Sequence, residues 1–378
     1  NGKTTVTHML ESIVVAAGQV AGVVGTVGTR IAGHHVPQTR TTPEATDLHR
    51  LLRQMVDAGV DVAALEVSSH ALALGRADSI RFDITAFTNL SQDHLDFHET
   101  MEEYFAAKAL LFEADRTRHS VIWMDDPAGV RLASMTAGDI TAVGFGSAGT
   151  HDVSGEILGW GPDHTTLSIH LGAEPVSVKV PLAGRFNAAN ALLAAAVADQ
   201  LGLSPAAIAG GLENLEPVPG RFEHVPGATG FSVVVDYAHT PDAVASAIAA
   251  ASEITEGRVI AVAGAAGDRD PEKRAPMGRA AATADIAIIT SDNPRSEDPA
   301  RLVEQVLAGA GGRSHNVVAE VDRREAIRRA VGMAETGDMV LVLGKGHEPY
   351  QEIGSEIIDF DDRLIAAEEL HALSGGSQ

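Results

Sequence analysis

Short apolar segments alternate with helical segments along nearly the whole chain, and this alternation restricts the possible folds more than any other feature. It is typical of βα units, in which helices cover a mostly parallel sheet. In the first half, the predicted strands are residues 62–67, 84–88 and 120–124, and the predicted helices are residues 102–113 and 187–201. Residues 165–171 and 176–180 are predicted to pair as a β-hairpin.

The alternation restarts after residues 216–220, where two prolines and a glycine follow a helix and suit a linker. Beyond this point the predicted strands are residues 231–236, 259–263, 286–290, 317–321 and 339–343. Predicted helices separate them at residues 241–252, 276–284, 299–310 and 323–334. We therefore expect an α/β chain of two domains, residues 1–216 with a mostly parallel sheet and residues 217–378 with a Rossmann-like fold.

The composition excludes several kinds of partner and chemistry. The formal net charge is −23 and no basic stripe is visible, so we expect no nucleic-acid binding. The chain has no cysteine, which excludes disulfides, thiol catalysis and cysteine-based metal sites. No apolar run approaches the ~18 residues that a membrane span requires. These features lead us to expect a cytoplasmic monomer with no membrane insertion.

The chain begins with Asn1-Gly2-Lys3-Thr4-Thr5, the second half of the phosphate-binding pattern G-x-x-x-x-G-K-[ST]. In that loop, backbone N–H groups surround the phosphates, the lysine reaches the outer phosphates and the hydroxyl binds Mg²⁺. The next segment has a helical pattern, and a helix N-terminus favours anions. An exposed turn before a helix explains the four residues Gly-Lys-Thr-Thr equally well. The first glycine of the pattern is missing, so we expect the chain to be a fragment.

Polar residues also follow the predicted strands, and ligands bind beyond the carboxyl ends of strands in open α/β sheets. In the first half, Glu66 ends one strand and His94 follows another. Together with Thr4 they offer oxygen and nitrogen ligands for one or two Mg²⁺ ions. Alternatively, Glu66 caps the turn that follows it and His94 is an ordinary hydrogen-bonded loop residue.

In the second half, glycines and polar or charged residues follow four strands, at residues 236–241, 264–270, 291–295 and 344–348. Any one of these segments is more simply explained as a helix cap or a turn. Four of them at the same edge of a sheet predict a ligand site there.

Taken together, these motifs resemble the Mur ligase family, most of all its members that add the third residue of the peptidoglycan stem peptide. The resemblance runs from residues 1–5 to residues 344–348 and includes residues 41–44, 66–70, 104–108 and 236–241. Residues 292–295, Asp-Asn-Pro-Arg, resemble the signature of the members that add meso-diaminopimelate. The resemblance implies a central P-loop ATPase-like domain, a C-terminal Rossmann-like domain and an N-terminal uridine-binding domain that is absent here.

The resemblance implies an ATP-dependent ligase of peptidoglycan biosynthesis. ATP would phosphorylate the carboxylate of UDP-N-acetylmuramoyl-L-alanyl-D-glutamate, and the amine of meso-diaminopimelate would attack the acyl phosphate. Cations in a water-poor site must offset the charge of the transferred phosphoryl group. The implied catalytic residues are Lys3, His94 and Lys108, the last carbamoylated by CO₂. Residues implied around Mg²⁺ are Thr4, Glu66, His94 and Lys108. Alternatively, Lys108 is an unmodified lysine whose aliphatic chain lies along its helix and whose amine stays in water.

Three sets of substrate contacts are also implied. Those to ATP are Gly2, Lys3, Thr4, Thr5, Asn187, Asn190, Arg221, Asp236 and His239. Those to the UDP-muramyl peptide are Thr41, Thr42, Ser68 and Arg76. Those to diaminopimelate are Arg274, Asp292, Asn293, Arg295, Gly344 and Glu348. Arg295 can meet a carboxylate bidentately, and Asp292 or Glu348 can meet an ammonium.

From the residues alone, other interpretations stay open. The two asparagines 187 and 190 can cap their helix, Arg221 and Arg76 can be surface residues, and residues 292–294 can be an Asx-type turn. The alternative enzymes are a lysine-adding relative and a folylpolyglutamate synthetase, and the alternative of another class is an inactive nucleotide-binding scaffold. Because half of the phosphate loop and the uridine domain are missing, we expect this chain alone to have little or no ligase activity.

Overall fold

The chain divides into two units, Asn1–Glu216 and Pro217–Gln378, at the segment that carries the two prolines. The computed structural model describes residues 1–38, 40–172, 174–312 and 315–375. Within these ranges, every helix is too short or too polar to cross a lipid bilayer. Each unit is built from helices packed on sheets, which confirms the predicted α/β class.

The first unit combines helices with strands of three to eight residues. Its helices are α1 (Lys3–Ala16), α2 (Ala45–Asp57), α3 (Ser69–Ala73), α4 (Leu95–His98), α5 (Met101–Ala109), α6 (Pro127–Met135), α7 (Arg185–Gln200) and α8 (Pro205–Glu213). Its strands are β1 (Ala21–Gly25), β2 (Gly28–Ile31), β3 (His34–Val36), β4 (Val62–Leu65), β5 (Phe82–Phe87), β6 (Thr117–Trp123), β7 (Asp139–Phe145), β8 (Val153–Trp160), β9 (Thr165–His170) and β10 (Pro175–Val180).

These strands form two sheets, in the orders β3-β2-β1-β4 and β10-β9-β8-β7-β6-β5. Parallel pairing joins β1 to β4 and runs from β5 to β8, whereas the β1–β2, β2–β3, β8–β9 and β9–β10 pairs are antiparallel. The hairpin predicted at residues 165–180 is therefore confirmed. The sheets are rich in parallel pairs, as predicted, and antiparallel strands are added where tight turns join neighbouring strands without an intervening helix.

Two predicted element ends in the first unit also differ. The strand expected to end at Glu66 stops at Leu65, which leaves Glu66 in the loop beyond the sheet. The helix expected at residues 102–113 ends at Ala109 and continues as a short 3₁₀ turn, Leu110–Phe112. Such tightened last turns are common at helix ends.

The helix predicted after the phosphate-loop pattern is confirmed. It begins at Lys3, directly after Gly2, whose φ of 81° lies in the left-handed region that favours glycine. Met9 and Ile13 of α1 are fully buried and anchor the helix in the core. Because the first backbone N–H groups of a helix have no partner within it, α1 presents donors at its N-terminus.

The second unit is Rossmann-like, as predicted. Its helices are α9 (Pro241–Ile254), α10 (Arg274–Ala281), α11 (Pro299–Gly309), α12 (Arg323–Met333) and α13 (Asp362–Gly375). Its strands are β11 (Glu223–His224), β12 (Ser232–Asp236), β13 (Val259–Ala263), β14 (Ile286–Ile289), β15 (Val317–Ala319), β16 (Met339–Leu343), β17 (Tyr350–Ile353) and β18 (Glu356–Asp359).

The main sheet of this unit has the order β11-β12-β16-β13-β14-β15, parallel from β12 to β15. Its central strands are fully buried, Val262 and Val340 among them, and pack with Ile327 of α12 in one core. One helix begins earlier than predicted, at Arg274 and not at Pro276, because proline is tolerated anywhere in the first turn of a helix. The carboxyl ends of β12, β13, β14 and β16 lie at one edge of the sheet.

Candidate active site

The start of α1 and the end of β4 meet through a buried hydrogen bond. Thr4 Oγ1 donates to Glu66 Oε2 at 3.0 Å, and both residues are almost completely buried. Glu66 also accepts from the backbone N–H of Thr26 at 2.8 Å and from its hydroxyl at 3.0 Å. A Cβ on Gly25 would lie 2.1 Å from Glu66 Oε1, so a glycine is required for this approach. The carboxylate is thereby fixed beside the start of the helix.

The contribution of Thr26 was missed from the sequence. It follows β1 directly, as Glu66 follows β4, so the same strand-end argument would have found it. The segment before Thr26 is apolar without a period that separates helix from strand, so its end is not recognisable from the sequence.

The predicted muramyl-peptide residues lie together around the Glu66 loop. Thr42 Oγ1 donates to Glu66 O at 2.8 Å and accepts from Ser68 N at 3.1 Å. Thr41 Oγ1 lies 3.0 Å from Thr26 Oγ1, and Arg76 Nη1 donates to Thr42 O at 3.3 Å. Ser68 also caps α3 by accepting from Ala71 N. The four predicted residues are therefore one connected group.

The two predicted asparagines of α7 lie at the start of α1. A Cβ on Gly2 would lie 2.3 Å from Asn190 Oδ1, which places this carboxamide against the glycine. Asn190 Nδ2 donates to Asn187 Oδ1 at 3.3 Å, and Asn187 Nδ2 donates to Ala183 O at 2.9 Å. The N-cap of α7 is Gly184, so neither asparagine occupies the capping position. Thr5, the remaining predicted residue of this region, is buried in the first turn of α1.

Lys108 lies on α5 one turn after Tyr104, and its Nζ is 4.9 Å from the Tyr104 ring centroid. Burial, together with the nearby positive charge of Lys3, lowers the pKa of Lys108 to about 7, although the charge of Asp93 opposes the shift. The amine is therefore partly neutral near pH 7, unlike that of a lysine in water.

His94 also lies beside Tyr104, with ring centroids 6.0 Å apart. Its Nε2 is 3.3 Å from Asp93 Oδ2, and its ring contacts that of His70 at 4.6 Å. The backbone of His94 has a φ of 56°, the left-handed conformation, where it precedes α4. The structure thus brings His94 and Lys108 to the same aromatic side chain.

Across the described ranges, no cluster of three or more His, Asp or Glu side chains is arranged to hold a metal ion. Of the four predicted Mg²⁺ ligands, Glu66 and His94 are of these residue types. The other two are the hydroxyl of Thr4 and a carbamoylated Lys108. The Thr4 and Glu66 oxygens lie 3.0 Å apart at the helix start. Oxygen donors of this kind suit Mg²⁺, which binds through one or two carboxylates and keeps several waters.

In the second unit, the predicted nucleotide residues surround Tyr237. Asp236 Oδ2 accepts from Phe222 N at 2.7 Å, the guanidinium of Arg221 lies 4.8 Å from the Tyr237 ring, and the His239 ring lies 4.5 Å from it. Burial raises the pKa of Asp236, and the charge of Arg221 opposes that rise. The group stands at the carboxyl end of β12.

Four of the six predicted diaminopimelate residues form a buried cluster at the ends of β14 and β16. Asn293 Nδ2 donates to Glu348 Oε2 at 2.8 Å, and Asp292 Oδ1 accepts from Asn293 N at 2.7 Å. Gly344 has a φ of 120°, and a Cβ there would lie 2.3 Å from Asp292 Oδ2. Burial, followed by the charge of Asp292, raises the pKa of Glu348.

The two predicted arginines of this pocket are paired elsewhere in the structure. Arg295 Nε donates to Glu352 Oε2 at 3.0 Å, and its Nη1 donates to Gly267 O at 2.7 Å. Arg274 is almost buried and donates to Glu297 and Gln305, each at 2.6 Å. Glu352 belongs to the β17–β18 hairpin, whose strands of four residues were not predicted.

The chain is similar to known proteins over nearly its whole length. The family model described as "Mur ligase middle domain" matches residues 1–198, and the one described as "Mur ligase, glutamate ligase domain" matches residues 220–346. A protein of Geobacillus thermodenitrificans, named UDP-N-acetylmuramoyl-L-alanyl-D-glutamate–2,6-diaminopimelate ligase, is 44% identical over 374 residues, which are 97% of this chain and 76% of that protein.

A protein of the same name from Streptomyces coelicolor is 44% identical over 384 residues, covering 99% of this chain and 75% of its own length. Among solved structures, one titled as that ligase matches with a TM-score of 0.70 at 33% identity. The match covers 99% of this chain and 77% of the other.

Proposed function

The chain belongs to the Mur ligase family, and on that premise we propose that it is the ligase that joins meso-diaminopimelate to UDP-N-acetylmuramoyl-L-alanyl-D-glutamate at the expense of ATP. The choice of diaminopimelate is supported by the cluster around the Asn293–Glu348 hydrogen bond. It is also supported by 44% identity to proteins named for that activity. The reaction belongs to peptidoglycan biosynthesis. Because it consumes ATP, we assign it to the cytoplasm.

The reaction proceeds in two steps. An oxygen of the D-glutamate side-chain carboxylate attacks the γ-phosphorus of ATP, and ADP leaves. The neutral amine of diaminopimelate then attacks the acyl carbon and gives up a proton, and the amide forms as the acyl C–O bond breaks. Phosphate leaves with the carboxylate oxygen that had attacked phosphorus. The protein contributes mainly position and charge to such a transfer.

The first unit supplies the phosphate side of the reaction. The N-terminus of α1, with Gly2, Lys3, Thr4 and Thr5, offers backbone donors and one cation to the phosphates. Mg²⁺, when bound, would offset the negative charge of the phosphates, held through Thr4 and Glu66 with His94 and a carbamoylated Lys108. The lowered pKa of Lys108 supports the modification, because CO₂ adds to a neutral amine with release of one proton. Asn187 and Asn190 are the other proposed nucleotide contacts of this unit, and Arg221, Asp236 and His239 are those of the second unit.

Thr41, Thr42, Ser68 and Arg76 are proposed to contact the muramyl peptide. Their support is that they form one hydrogen-bonded group around the Glu66 loop. Arg76 also pairs with the half-exposed Glu44 at 2.9 Å, so a substrate carboxylate would compete with that pair.

The second unit supplies the amino-acid side. The carboxylates of Asp292 and Glu348 face an ammonium of diaminopimelate, with Asn293 and Gly344 shaping the pocket. Arg295 meets a carboxylate of the same substrate, in exchange for Glu352, which is only partly buried. Arg274 holds Glu297 and Gln305 at the side of this pocket.

One assay separates the proposal from its rivals. Release of ADP is measured with ATP, the UDP-linked dipeptide and one amino acid at a time, in the complete protein including any residues outside this sequence. The proposal expects release with diaminopimelate and little with lysine or glutamate. Release with lysine alone would identify a lysine-adding relative, and release when a folate and glutamate replace the dipeptide and diaminopimelate would identify a folylpolyglutamate synthetase. No release under any condition would identify an inactive scaffold.

A further inference from the structure

Lys345 stands at the end of β16 with a side chain that is fully buried. A buried lysine is uncommon, because removing an ammonium from water is costly unless other groups compensate. Its Nζ donates to Tyr350 O and, at 3.4 Å, to Asn293 Oδ1, and it lies 3.5 Å from Glu348 Oε2. No step of the proposed reaction uses this cation.

The contacts of Lys345 determine which way the Asn293 amide points. Asn293 Oδ1 accepts from Lys345 Nζ and from Glu352 N at 3.0 Å. With the oxygen held by two donors, the amide nitrogen is directed at Glu348, to which it donates at 2.8 Å. Lys345 therefore positions Glu348 directly and also through Asn293.

The charges around Glu348 also require a cation. The titratable groups that face it are Asp292, Lys345, Arg323, Tyr237 and Tyr350. Burial and Asp292 favour its protonated form, whereas Lys345 and the Asn293 amide favour the ionised form. Arg323 is already paired with Asp362, at 2.6 Å. Among the described residues, Lys345 is thus the cation in direct contact with Glu348.

We propose that Lys345 is a positioning residue of the amino-acid pocket, which keeps Glu348 ionised and aimed at the ammonium group of the incoming diamino acid. The inference rests on the proposed function, because it concerns the substrate assigned to that pocket.

The test compares Lys345→Met with the matched control Lys179→Met, which removes an exposed lysine on β10 of the other unit. KM for diaminopimelate and KM for ATP are measured from pH 6 to 9 in the complete protein. We expect Lys345→Met to raise KM for diaminopimelate about tenfold at pH 7. The acidic limb of the pH profile of this KM should move to higher pH by about one unit, since a neighbouring opposite charge shifts a pKa by 1–3 units. KM for ATP should stay within about twofold of the parent.

An unchanged KM for diaminopimelate, or an equal rise in both KM values with no movement of the pH profile, would overturn the proposal. If the methionine variant does not unfold cooperatively, Lys345→Gln replaces it, because glutamine keeps a donor for Tyr350 O without the charge. The parent protein is assayed first. If it makes no product with diaminopimelate, that result contradicts the proposed function, whereas a failure of only the expectations for the Lys345 variants contradicts the role of Lys345 alone.

Discussion

Thr4 and Glu66 are 62 positions apart in the sequence, yet their side chains share a buried hydrogen bond of 3.0 Å. This bond joins the first turn of α1 to the loop after β4. It places a hydroxyl and a carboxylate beside the backbone donors of a helix N-terminus. Phosphates and a divalent cation need that combination of groups.

Replacing Thr4 with alanine should therefore affect catalysis more than stability. We expect kcat/KM for ATP to fall roughly 10²-fold, as when one group that stabilises developing charge is removed. The free energy of unfolding should fall by about 1 kcal/mol, the usual contribution of one hydrogen bond. Thr7→Ala is the control, since Thr7 lies in the same helix and donates to Thr4 O at 2.9 Å. Equal losses of activity in both variants would contradict the role assigned to Thr4.

Lys108 should be essential for activity but unfavourable for stability. Lys108→Ala should abolish most ligase activity, and a short carboxylic acid should restore part of it by replacing the carbamate. Near-normal activity of the alanine variant would exclude the proposed modification. Lys179→Ala serves as the control for general effects of losing a lysine.

The lowered pKa of Lys108 also predicts a pH-dependent stability. Because the pKa is about 7 in the folded state and about 10.4 in the unfolded state, the unfolded chain binds more protons between these values. Stability of the parent should therefore rise with pH across this window. In CO₂-free buffer, Lys108→Met should melt at a higher temperature than the parent at pH 7, and the difference should shrink towards pH 10. A difference independent of pH would show that the amine is solvated.

Arg295 should decide the use of diaminopimelate. Arg295→Ala or Arg295→Lys loses a charge-assisted bidentate contact, which costs roughly 1.5–3 kcal/mol and lowers kcat/KM for diaminopimelate about 10- to 150-fold. KM for ATP should change little. Arg118→Ala, which removes an arginine from an exposed pair with Asp83, is the control. Unchanged kinetic constants for diaminopimelate would remove Arg295 from the pocket.

The fully buried pair of Arg323 and Asp362 should be the most sensitive structural contact of the second unit. Arg323 also donates to Ser291 O and Leu343 O, at the ends of two central strands. Arg323→Met leaves a buried carboxylate unpaired and should lower the free energy of unfolding by roughly 3–5 kcal/mol, measured by urea denaturation. The double variant Arg323→Met/Asp362→Leu should recover much of this loss. Arg324→Met, at the exposed neighbouring position, should cost about 1 kcal/mol or less.

The sequence predicted the arrangement of the second unit better than that of the first. Alternating strands and helices of ordinary length determine a Rossmann-like sheet, and its buried strands read as continuous apolar runs. The first unit contains antiparallel strands as short as His34–Val36, which carry too few residues for a period to be seen. Its topology therefore depends on contacts between distant segments and not on a local pattern.

The same limit applies to the candidate site. Strand-end positions and family resemblance identified Glu66, His94 and Asp292, because each follows a recognisable strand. Glu352 was missed, since it acts from a hairpin that approaches Arg295 only in the folded chain. Lys345 is one of only five lysines in the chain, but its burial and its contact with Glu348 are visible only in the structure.

The most direct test of the central claim is a competition experiment read by mass spectrometry. The complete protein is incubated with ATP, UDP-N-acetylmuramoyl-L-alanyl-D-glutamate and equal amounts of meso-diaminopimelate, lysine and glutamate. We expect one product, whose mass equals that of the dipeptide substrate plus diaminopimelate minus water, formed with one ADP per amide. A product carrying lysine or glutamate, or ADP released without any amide, would contradict it.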